Sequence, residues 1–359
     1  MSMNDQLLSP SLGERKADYS RLLAVCIPTY NRSAYLDQCL AALVPQAMAL
    51  GVPIFLSDNG STDITPDVIA KYQAMYKEGV KSIRQQANLG YDLNHKAVIG
   101  MAHSEFAWLL GDDDVAVDGA LQRVINELEA DPQCELMLLN AMLTDNDLHP
   151  RDRQFHIDRN LLLINCNDLL KQHSDKLTFG MMVINARLFN ETDAERFIGT
   201  AHFYAGGVYE YLAGNYLKNG SNRICIFKEP FVYLRQGERQ WSQAIGDISV
   251  RQIPEFYFRM HPCYDVNARE AMKRSVGSYR TLLPLVRLRA EGWLDSKRTS
   301  ELKKYYVDRY RYRLLLISNM PMFAAQCLST LGILAAKALK ASKRIYFSSK
   351  INITDRVDL

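Results

Sequence analysis

The sequence has few of the features that would place the protein outside a reducing compartment. Its seven cysteines are widely spaced and no Cys-x-x-Cys pair occurs, so neither a disulfide framework nor a thiolate zinc site is expected. A cytoplasmic location is therefore predicted. Residues 1–20 are polar and lack the apolar run of a signal peptide, and we expect them to form a flexible N-terminal extension.

An excess of charge of one sign is also lacking, because 43 lysines and arginines face 40 aspartates and glutamates, for a formal net charge of +3. A nucleic-acid-binding protein would usually carry a basic excess, so nucleic acid is not an expected partner. Hydrophobic residues make up 48% of the 359-residue chain and charged residues 23%, which is typical of a globular protein with a large core.

Short apolar runs and helical stretches alternate between residues 22 and 139. Strands are predicted at Leu22–Pro28 and Val52–Asp58, and in the runs KSIRQQ and EFAWLLGDDD, with helices between them. The alternation predicts an α/β fold with a Rossmann-like, mostly parallel central sheet flanked by helices. Such sheets bind ligands beyond the carboxyl ends of their strands, where the polar clusters TYNR, DNGSTD and GDDD lie.

The most acidic of these clusters is formed by Asp112, Asp113 and Asp114, after the apolar run AWLL. Three adjacent carboxylates repel one another unless a cation or solvent compensates. A hard divalent ion that bridges to phosphate oxygens is the natural partner. The alternative is a solvated acidic turn that leads into a helix near Asp118.

Three further polar turns follow predicted strands. In the first, Tyr30 is a candidate to stack on a base and Arg32 to meet a phosphate. In the second, Asp58 is a candidate acceptor of hydrogen bonds from a nucleobase or ribose. The third, around Asn88 and Gly90, allows a close backbone approach or simply a turn. Taken singly, each is equally explained as an ordinary turn.

In combination, the four motifs resemble those of the family 2 glycosyltransferases of GT-A fold. The matching stretches are VCIPTYNR, FLSDNGSTD, NLGYDLNHKAVIGMA and EFAWLLGDDD, within residues 22–125. The acidic motif is most similar to that of transferases building bacterial surface polysaccharides such as O-antigen or capsule, abequosyltransferase-like members included. One departure is Gly111, because many relatives have Asp-x-Asp-Asp where this chain has Gly-Asp-Asp-Asp.

The resemblance implies metal-dependent, inverting transfer of a sugar from a nucleotide-sugar donor to a hydroxyl of a glycan or lipid-linked acceptor. A UDP-sugar is favoured because uridine is the family's commonest nucleotide. Mn²⁺ or Mg²⁺ is the implied cofactor, held by Asp112, Asp113 and Asp114. The implied nucleotide-binding residues are Pro28, Thr29, Tyr30, Arg32, Asp58, Asn88, Gly90, Asp112 and Asp113.

The catalytic base is less evident than the acidic motif. In the family an acidic pair often opens a helix shortly before a glycine, and the corresponding positions here are Gly206 and Gly207. The nearest side chains able to take a proton from an acceptor hydroxyl are His202 and Glu210. His202 could instead complete a metal shell as neutral imidazole, and Glu210 could be a solvated residue of a helix predicted over residues 207–218.

The expected domain division places a GT-A domain at residues 21–245, with a nucleotide-binding half over 21–125 and an acceptor half over 126–245. A helical C-terminal region follows over 246–359. Arg235 and Arg239 are candidate diphosphate contacts, and Trp241 is a candidate for stacking on a sugar.

The C-terminal tail suggests a contact with a membrane. Within residues 320–350 an uncharged apolar stretch precedes a basic cluster, which suits a helix lying on an anionic membrane surface. Peripheral association with the cytoplasmic face of the inner membrane is therefore expected, with packing of the same helix on the catalytic domain as the alternative.

Two other functions share these features. A nucleotidyltransferase acting on sugar phosphates also places acidic metal ligands on an α/β sheet, although it would be expected to carry a glycine-rich phosphate loop that TYNRS lacks. A non-catalytic partner subunit of the same fold is favoured by the missing acidic pair and disfavoured by the intact aspartate cluster.

Overall fold

The computed structural model describes residues 17–173, 176–236, 248–264, 282–292, 294–302 and 309–331. The chain divides into two compact units, the first comprising Met1–Glu238 and Met260–Tyr264 and the second Arg239–Arg259 and Asp265–Leu359. The boundary expected at residue 245 lies outside the described residues.

The first unit contains all the described strands and seven α-helices. The strands are β1 Leu23–Thr29, β2 Ile54–Asp58, β3 Val80–Arg84, β4 Phe106–Leu109, β5 Val115–Ala116, β6 Leu136–Thr144, β7 Pro150–Arg153, β8 Leu161–Leu163, β9 Met182–Asn185 and β10 Ile224–Arg235. The helices are α1 Ser33–Leu50, α2 Thr65–Met75, α3 Tyr91–Gly100, α4 Ala120–Ala130, α5 Cys166–His173, α6 Ala186–Asn190 and α7 Phe203–Asn219. Short 3₁₀ turns lie at Glu195–Phe197 and Pro262–Tyr264.

The ten described strands form one sheet in the order β3-β2-β1-β4-β9-β6-β10-β5, with β7 beside β6 and β8 beside β10. Strands β1 to β4 are mutually parallel, and β6 and β10 are parallel to each other. Strand β9 runs antiparallel between β4 and β6, so these six strands point the same way. Because β1 lies between β2 and β4, the chain reverses its winding direction there, which is where α/β sheets open a ligand crevice.

The burial of the apolar runs explains why they form parallel strands in this sheet. Every residue from Leu23 to Ile27 is fully buried, as are Ile54, Leu56 and Trp108 on the neighbouring strands. Continuous rather than alternating burial is typical of parallel strands covered by helices on both faces. The sheet therefore holds the carboxyl ends of β1, β2 and β4 at one rigid edge.

Two helices begin earlier than the sequence pattern predicts. Helix α3 begins at Tyr91 rather than near residue 94, and α7 begins at Phe203 rather than at 207. Gly206 and Gly207 therefore lie inside α7, where they pack against two aromatic rings. A Cβ on Gly206 would lie 2.6 Å from Cδ1 of Phe197, and one on Gly207 would lie 2.6 Å from Cζ of Phe189. The two glycines let the helix approach these rings and do not end it.

The described part of the second unit is helical. A π-helical turn at Ile248–Gln252 leads into α8 Ile253–Phe258, and α9 Leu282–Ala290, α10 Ser296–Leu302, α11 Arg309–Ser318 and a helix over residues 322–331 (α12) follow. Their buried apolar cluster consists of Leu285, Val286, Leu288, Leu294, Leu302, Leu314, Ile317 and Ala325. Among the described helices, none combines the length and apolar character needed to cross a bilayer.

Candidate active site

The turns after β1 and β2 are joined into one surface by Asn31. Its backbone N–H donates to Ser61 Oγ at 2.9 Å, and its Oδ1 accepts from the Thr62 N–H at 2.7 Å. Asn31 adopts a φ of +52°, a conformation that asparagine tolerates better than most residues. The TYNR and DNGSTD clusters, thirty residues apart, therefore form a single rim at the carboxyl edge of the sheet.

The third turn is attached to the second through amide side chains. Asn59 Nδ2 donates to Asn88 Oδ1 at 2.9 Å, and Asn59 Oδ1 accepts from the Leu89 N–H at 2.9 Å. Gly90 has a φ of +90° immediately before α3, and a Cβ there would meet nothing within 4 Å. Gly90 is thus required by backbone conformation, and Asn88 and Gly90 are placed on the same rim.

The aspartate cluster lies after β4 and is tied to the β1 turn. Thr29 Oγ1 donates to Asp112 Oδ2 at 2.8 Å, and the guanidinium of Arg32 pairs with Asp113 and lies 3.7 Å from Asp112 Oδ1. Asp114 is only 4% exposed, whereas the Asp113 side chain keeps 33% of its surface accessible. The three carboxylates therefore have different surroundings, and Asp113 is the one that faces solvent most.

The departure at Gly111 has a steric cause. A Cβ at position 111 would lie 2.6 Å from Asp114 Oδ2, and a Cβ at Gly180 would also collide with that oxygen. The Asp114 carboxylate is thus packed against two glycine backbones. A side chain at position 111 would therefore require the Asp114 carboxylate to move.

Burial and mutual repulsion shift the protonation of this cluster. Burial, reinforced by the charge of Asp113 and opposed by Arg32 and Thr29, raises the pKa of Asp112 to about 7. Burial and the charge of Asp113 also raise the pKa of Asp114 well above its ordinary value. Burial alone would lower the pKa of Arg32, but Asp112 and Asp113 more than offset it and raise that pKa. Asp112 and Asp114 are thus held closer to their neutral forms than an exposed aspartate would be.

The carboxylate oxygens of this cluster are chemically suited to bind a hard divalent cation, which would offset their negative charge. They do not converge as three ligands, because Thr29 and Arg32 hold Asp112 and Asp113 while Asp114 is packed between glycines. Of the three predicted metal ligands, Asp113 has the most exposed side chain, and Asp112 and Asp114 are both buried.

Within the described residues, a convergent set of ligand atoms lies elsewhere, at Asp145, Asp147 and His149, all within 4.8 Å of one another. Asp145 Oδ1 accepts from the backbone N–H groups of Asp147 and His149 at 3.1 and 3.0 Å. These bonds are those of a surface turn, and they account for the convergence.

Asp58 ends β2 with its side chain only 2% exposed. Its Oδ1 accepts from the Ser61 N–H at 2.9 Å, and Arg84 Nε lies 3.3 Å from its Oδ2. No hydrogen bond from the described residues reaches Oδ2, which leaves a buried acceptor at the rim. Pro28 and Tyr30 flank Thr29 with partly exposed side chains, and the Tyr30 backbone hydrogen-bonds to Asp112.

The two candidate bases lie at different places on α7. His202 is the residue before the first turn, and its Nδ1 lies 2.8 Å from the Thr200 carbonyl oxygen. Burial lowers the pKa of His202, opposed by that carbonyl and by Asp92. Glu210 lies eight residues further on, about 12 Å along the helix axis, and pairs with Arg196. Burial raises the pKa of Glu210, opposed by Arg196 and His261.

Arg235, at the end of β10, is bound to protein groups rather than left available for a diphosphate. Its guanidinium donates to the Asp113 carbonyl, to Gln38 Oε1 and, at 3.0 Å, to the Asn146 carbonyl. It also stacks over the Tyr35 ring, 5.1 Å from the centroid. Arg239 and Trp241 lie outside the described residues.

Asp92 is a residue whose role the sequence pattern does not disclose. It stands in the first turn of α3, where an acidic residue is common, and nothing in the spacing connects it with residues 199–203. Its contacts with that loop are visible only in the folded chain.

Comparison with known proteins agrees with this architecture. Residues 24–194 match the family model described as Glycosyl transferase family 2. A segment of 151 residues is 32% identical to the abequosyltransferase RfbV of Salmonella typhimurium, covering 41% of this chain and 45% of that protein. A segment of 71 residues is 45% identical to the validoxylamine A glucosyltransferase of Streptomyces hygroscopicus subsp. jinggangensis, covering 20% of this chain and 16% of that protein. The chain spans less than half the length of these curated relatives.

Solved structures share the fold at low sequence identity. The crystal structure of S. aureus TarS 1–349 superposes with a TM-score of 0.56 at 12% identity, covering 88% of this chain and 92% of that one. Its complex with UDP-GlcNAc gives a TM-score of 0.57 at 13% identity, covering 86% and 88%. The expected α/β fold of GT-A type is confirmed, and residues 24–194 of the chain are a glycosyl transferase family 2 domain.

Proposed function

We propose that the protein is a metal-dependent glycosyltransferase that moves a sugar from a nucleotide-sugar donor to a hydroxyl group, with inversion at the anomeric carbon. The observation that carries the proposal is the rim at the carboxyl edge of the sheet. There Asn31 joins the β1 and β2 turns, and Thr29 and Arg32 tie the aspartate cluster to them. Nucleotide, diphosphate and metal would then lie side by side over one crevice.

Within this proposal Asp58 and Tyr30 bind the nucleoside. The buried Oδ2 of Asp58 is ion-paired with Arg84 at 3.3 Å, accepts no hydrogen bond from the described residues, and would accept one from a base or ribose. The Tyr30 side chain is partly exposed on the same rim, where it would stack on the base. UDP is the nucleotide we expect, and the related TarS structure was solved with UDP-GlcNAc.

Asp112 and Asp113 would hold Mn²⁺ or Mg²⁺ against the diphosphate. A bound divalent ion supplies positive charge for the leaving nucleoside diphosphate. Arg32 lies beside both carboxylates and is placed to turn its guanidinium towards the diphosphate when a metal takes over its partners. Asp114 would shape this turn from within, because its carboxylate is buried against two glycines.

His202 is the base we propose. The lowered pKa keeps the ring neutral near pH 7, and a proton on Nδ1, donated to the Thr200 carbonyl, places the lone pair on Nε2. Nε2 would take the proton of the acceptor hydroxyl as that oxygen attacks the anomeric carbon. Glu210 is less suited to this step, since Arg196 occupies its carboxylate two turns along α7.

The acceptor and its setting complete the proposal. We propose a glycan or lipid-linked acceptor in bacterial surface-polysaccharide synthesis, because the relative that is 32% identical over 151 residues is an abequosyltransferase. Helix α12 exposes Met322, Phe323, Leu328 and Leu331, which would contact the inner membrane peripherally. The basic cluster that follows lies outside the described residues.

Calorimetric titration with UDP, CDP, GDP and dTDP, each with and without Mn²⁺, tests the pocket. We expect one nucleotide to bind at micromolar concentration and only with metal. Asp113→Ala should abolish that binding, while Asp147→Ala in the surface turn should leave it intact. If Asp147→Ala and not Asp113→Ala removed the metal dependence, the metal would belong to the Asp145–His149 turn and the proposed site would be wrong.

A product assay separates the enzyme classes. A glycosyltransferase releases a nucleoside diphosphate from the donor, whereas a nucleotidyltransferase releases pyrophosphate. His202→Ala should lower kcat by about 10²- to 10⁴-fold, the usual contribution of a positioned base. His103→Ala, which changes an exposed histidine, is the matched control, and Glu210→Gln tests the competing assignment.

A further inference from the structure

The carboxylate of Asp92 gathers three backbone N–H groups from a segment more than a hundred residues away. Its Oδ2 accepts from Gly199 at 2.8 Å and from Ala201 at 3.0 Å, and its Oδ1 accepts from Phe203 at 3.2 Å. Asp92 itself is 6% exposed. Bonds from N–H groups to a buried carboxylate are strong individually, and here three of them define one loop conformation.

The loop so held is the one that presents His202. Gly199, Ala201 and Phe203 surround the histidine in sequence, and Phe203 is the first residue of α7. Ala201 has a φ of +57°, a left-handed conformation that costs a non-glycine residue about 1–2 kcal/mol. Such a conformation persists only where neighbouring groups hold the backbone in place, and here the hydrogen bonds to Asp92 do so.

Two helix ends meet at this carboxylate. Asp92 stands in the first turn of α3, and it accepts from the N-terminus of α7. Negative charge is stabilising at both ends. Asn94, two residues further along α3, donates to the Thr29 carbonyl at 3.3 Å, and the Thr29 hydroxyl donates to Asp112 of the aspartate cluster at 2.8 Å. The His202 loop and the metal cluster therefore flank the same end of α3.

We infer that Asp92 is a positioning residue that holds the 199–203 loop so that the His202 ring faces the acceptor side of the crevice. The inference rests on the proposed role of His202. Asp92 belongs to the half of the domain that binds the nucleotide, and the loop belongs to the half that would bind the acceptor. Asp92 thus connects the two halves and acts through the loop.

Asp92→Asn tests the inference with little change in shape, since an amide oxygen replaces one carboxylate oxygen and an NH₂ group the other. The NH₂ group cannot accept from the loop, so at least one of the three bonds is lost. We expect kcat to fall about 10- to 10²-fold, the effect of misplacing a catalytic group, while the KM for the donor and metal-dependent nucleotide binding change less than about twofold. Asp67→Asn, in the first turn of α2, is the matched control and should be silent.

A double-mutant cycle with His202→Ala gives the decisive readout. If Asp92 acts through His202, the double variant is no slower than His202→Ala alone, because residues that act as one unit are not additive. Multiplied losses would overturn the inference, and so would full kcat in Asp92→Asn; in either case the proposed base would stand. Full activity in His202→Ala would instead remove the proposed base, and the positioning role with it.

A hydrogen-exchange measurement covers the case in which Asp92→Asn fails to fold. In the wild-type protein, the Ala201 and Phe203 amides should exchange more slowly than the neighbouring His202 amide, whose bond to Thr200 Oγ1 is 3.2 Å long and local. Asp92→Glu, which keeps the charge but lengthens the side chain, should speed exchange at those two amides and lower kcat in parallel. Unchanged exchange together with lowered kcat would overturn the inference.

Discussion

Substituting alanine for Gly206 should destabilise the first unit, although alanine favours a helix. Within α7 the exchange gains about 1 kcal/mol from helix propensity. Against this, the new methyl group would lie 2.6 Å from Cδ1 of Phe197, and that ring is fully buried. Cγ and Cδ2 of the same ring would lie closer still, and ordinary carbon contacts are about 3.5–4 Å, so the ring or the helix must shift by more than about 1 Å. Overpacking of this kind costs about 1–3 kcal/mol.

We therefore expect Gly206→Ala to lose up to about 2 kcal/mol net, and Tm to fall by up to about 8 °C. Gly214→Ala is the matched control in the same helix, because a Cβ at Gly214 meets nothing within 4 Å. It should gain about 1 kcal/mol. Urea unfolding and differential scanning calorimetry of both variants measure the difference.

The outcome also bears on the missing acidic pair. If Gly206→Ala is as stable as Gly214→Ala, the packing reason for glycine at position 206 is wrong. If the signs are opposite as expected, Gly206→Asp should unfold the protein and not add activity, since it would also bury an unpaired charge.

Three further predictions concern other parts of the molecule. Arg235→Lys should weaken metal-dependent nucleotide binding in calorimetry by about tenfold, because an ammonium group cannot reach Gln38 and the Asp113 carbonyl together while it stacks on Tyr35; unchanged binding would refute this role. His95 is buried, and its pKa is lowered to about 4. Below about pH 6.5 the unfolded chain therefore takes up this proton before the folded chain does, so the free energy of unfolding should fall between pH 6.5 and pH 4, by about 2 kcal/mol at pH 5. His95→Gln should not show this loss. Phe323→Ser should reduce sedimentation with anionic vesicles, whereas Leu217→Ser, at another exposed apolar residue, in α7, should not.

The sequence determined the fold of residues 22–125 almost alone. Parallel strands buried on both faces are continuous apolar runs, and each run here ends in a polar turn, so β1, β2 and β4 were predicted within a few residues. The motif order, which is a local property of the chain, then indicated the family of residues 24–194. Thr29, Arg32, Asp58 and Asp112 were singled out for the same reason.

Tertiary structure decided what depends on contacts distant in sequence. Whether Gly206 and Gly207 break a helix or pack it closely depends on Phe197 and Phe189, whose positions no local pattern reveals. Similarly, Asp92 looks like any acidic residue in a first helical turn until the 199–203 loop is folded against it. A carboxylate's role follows from the donors that surround it, and those donors come together only when the two halves of the domain pack.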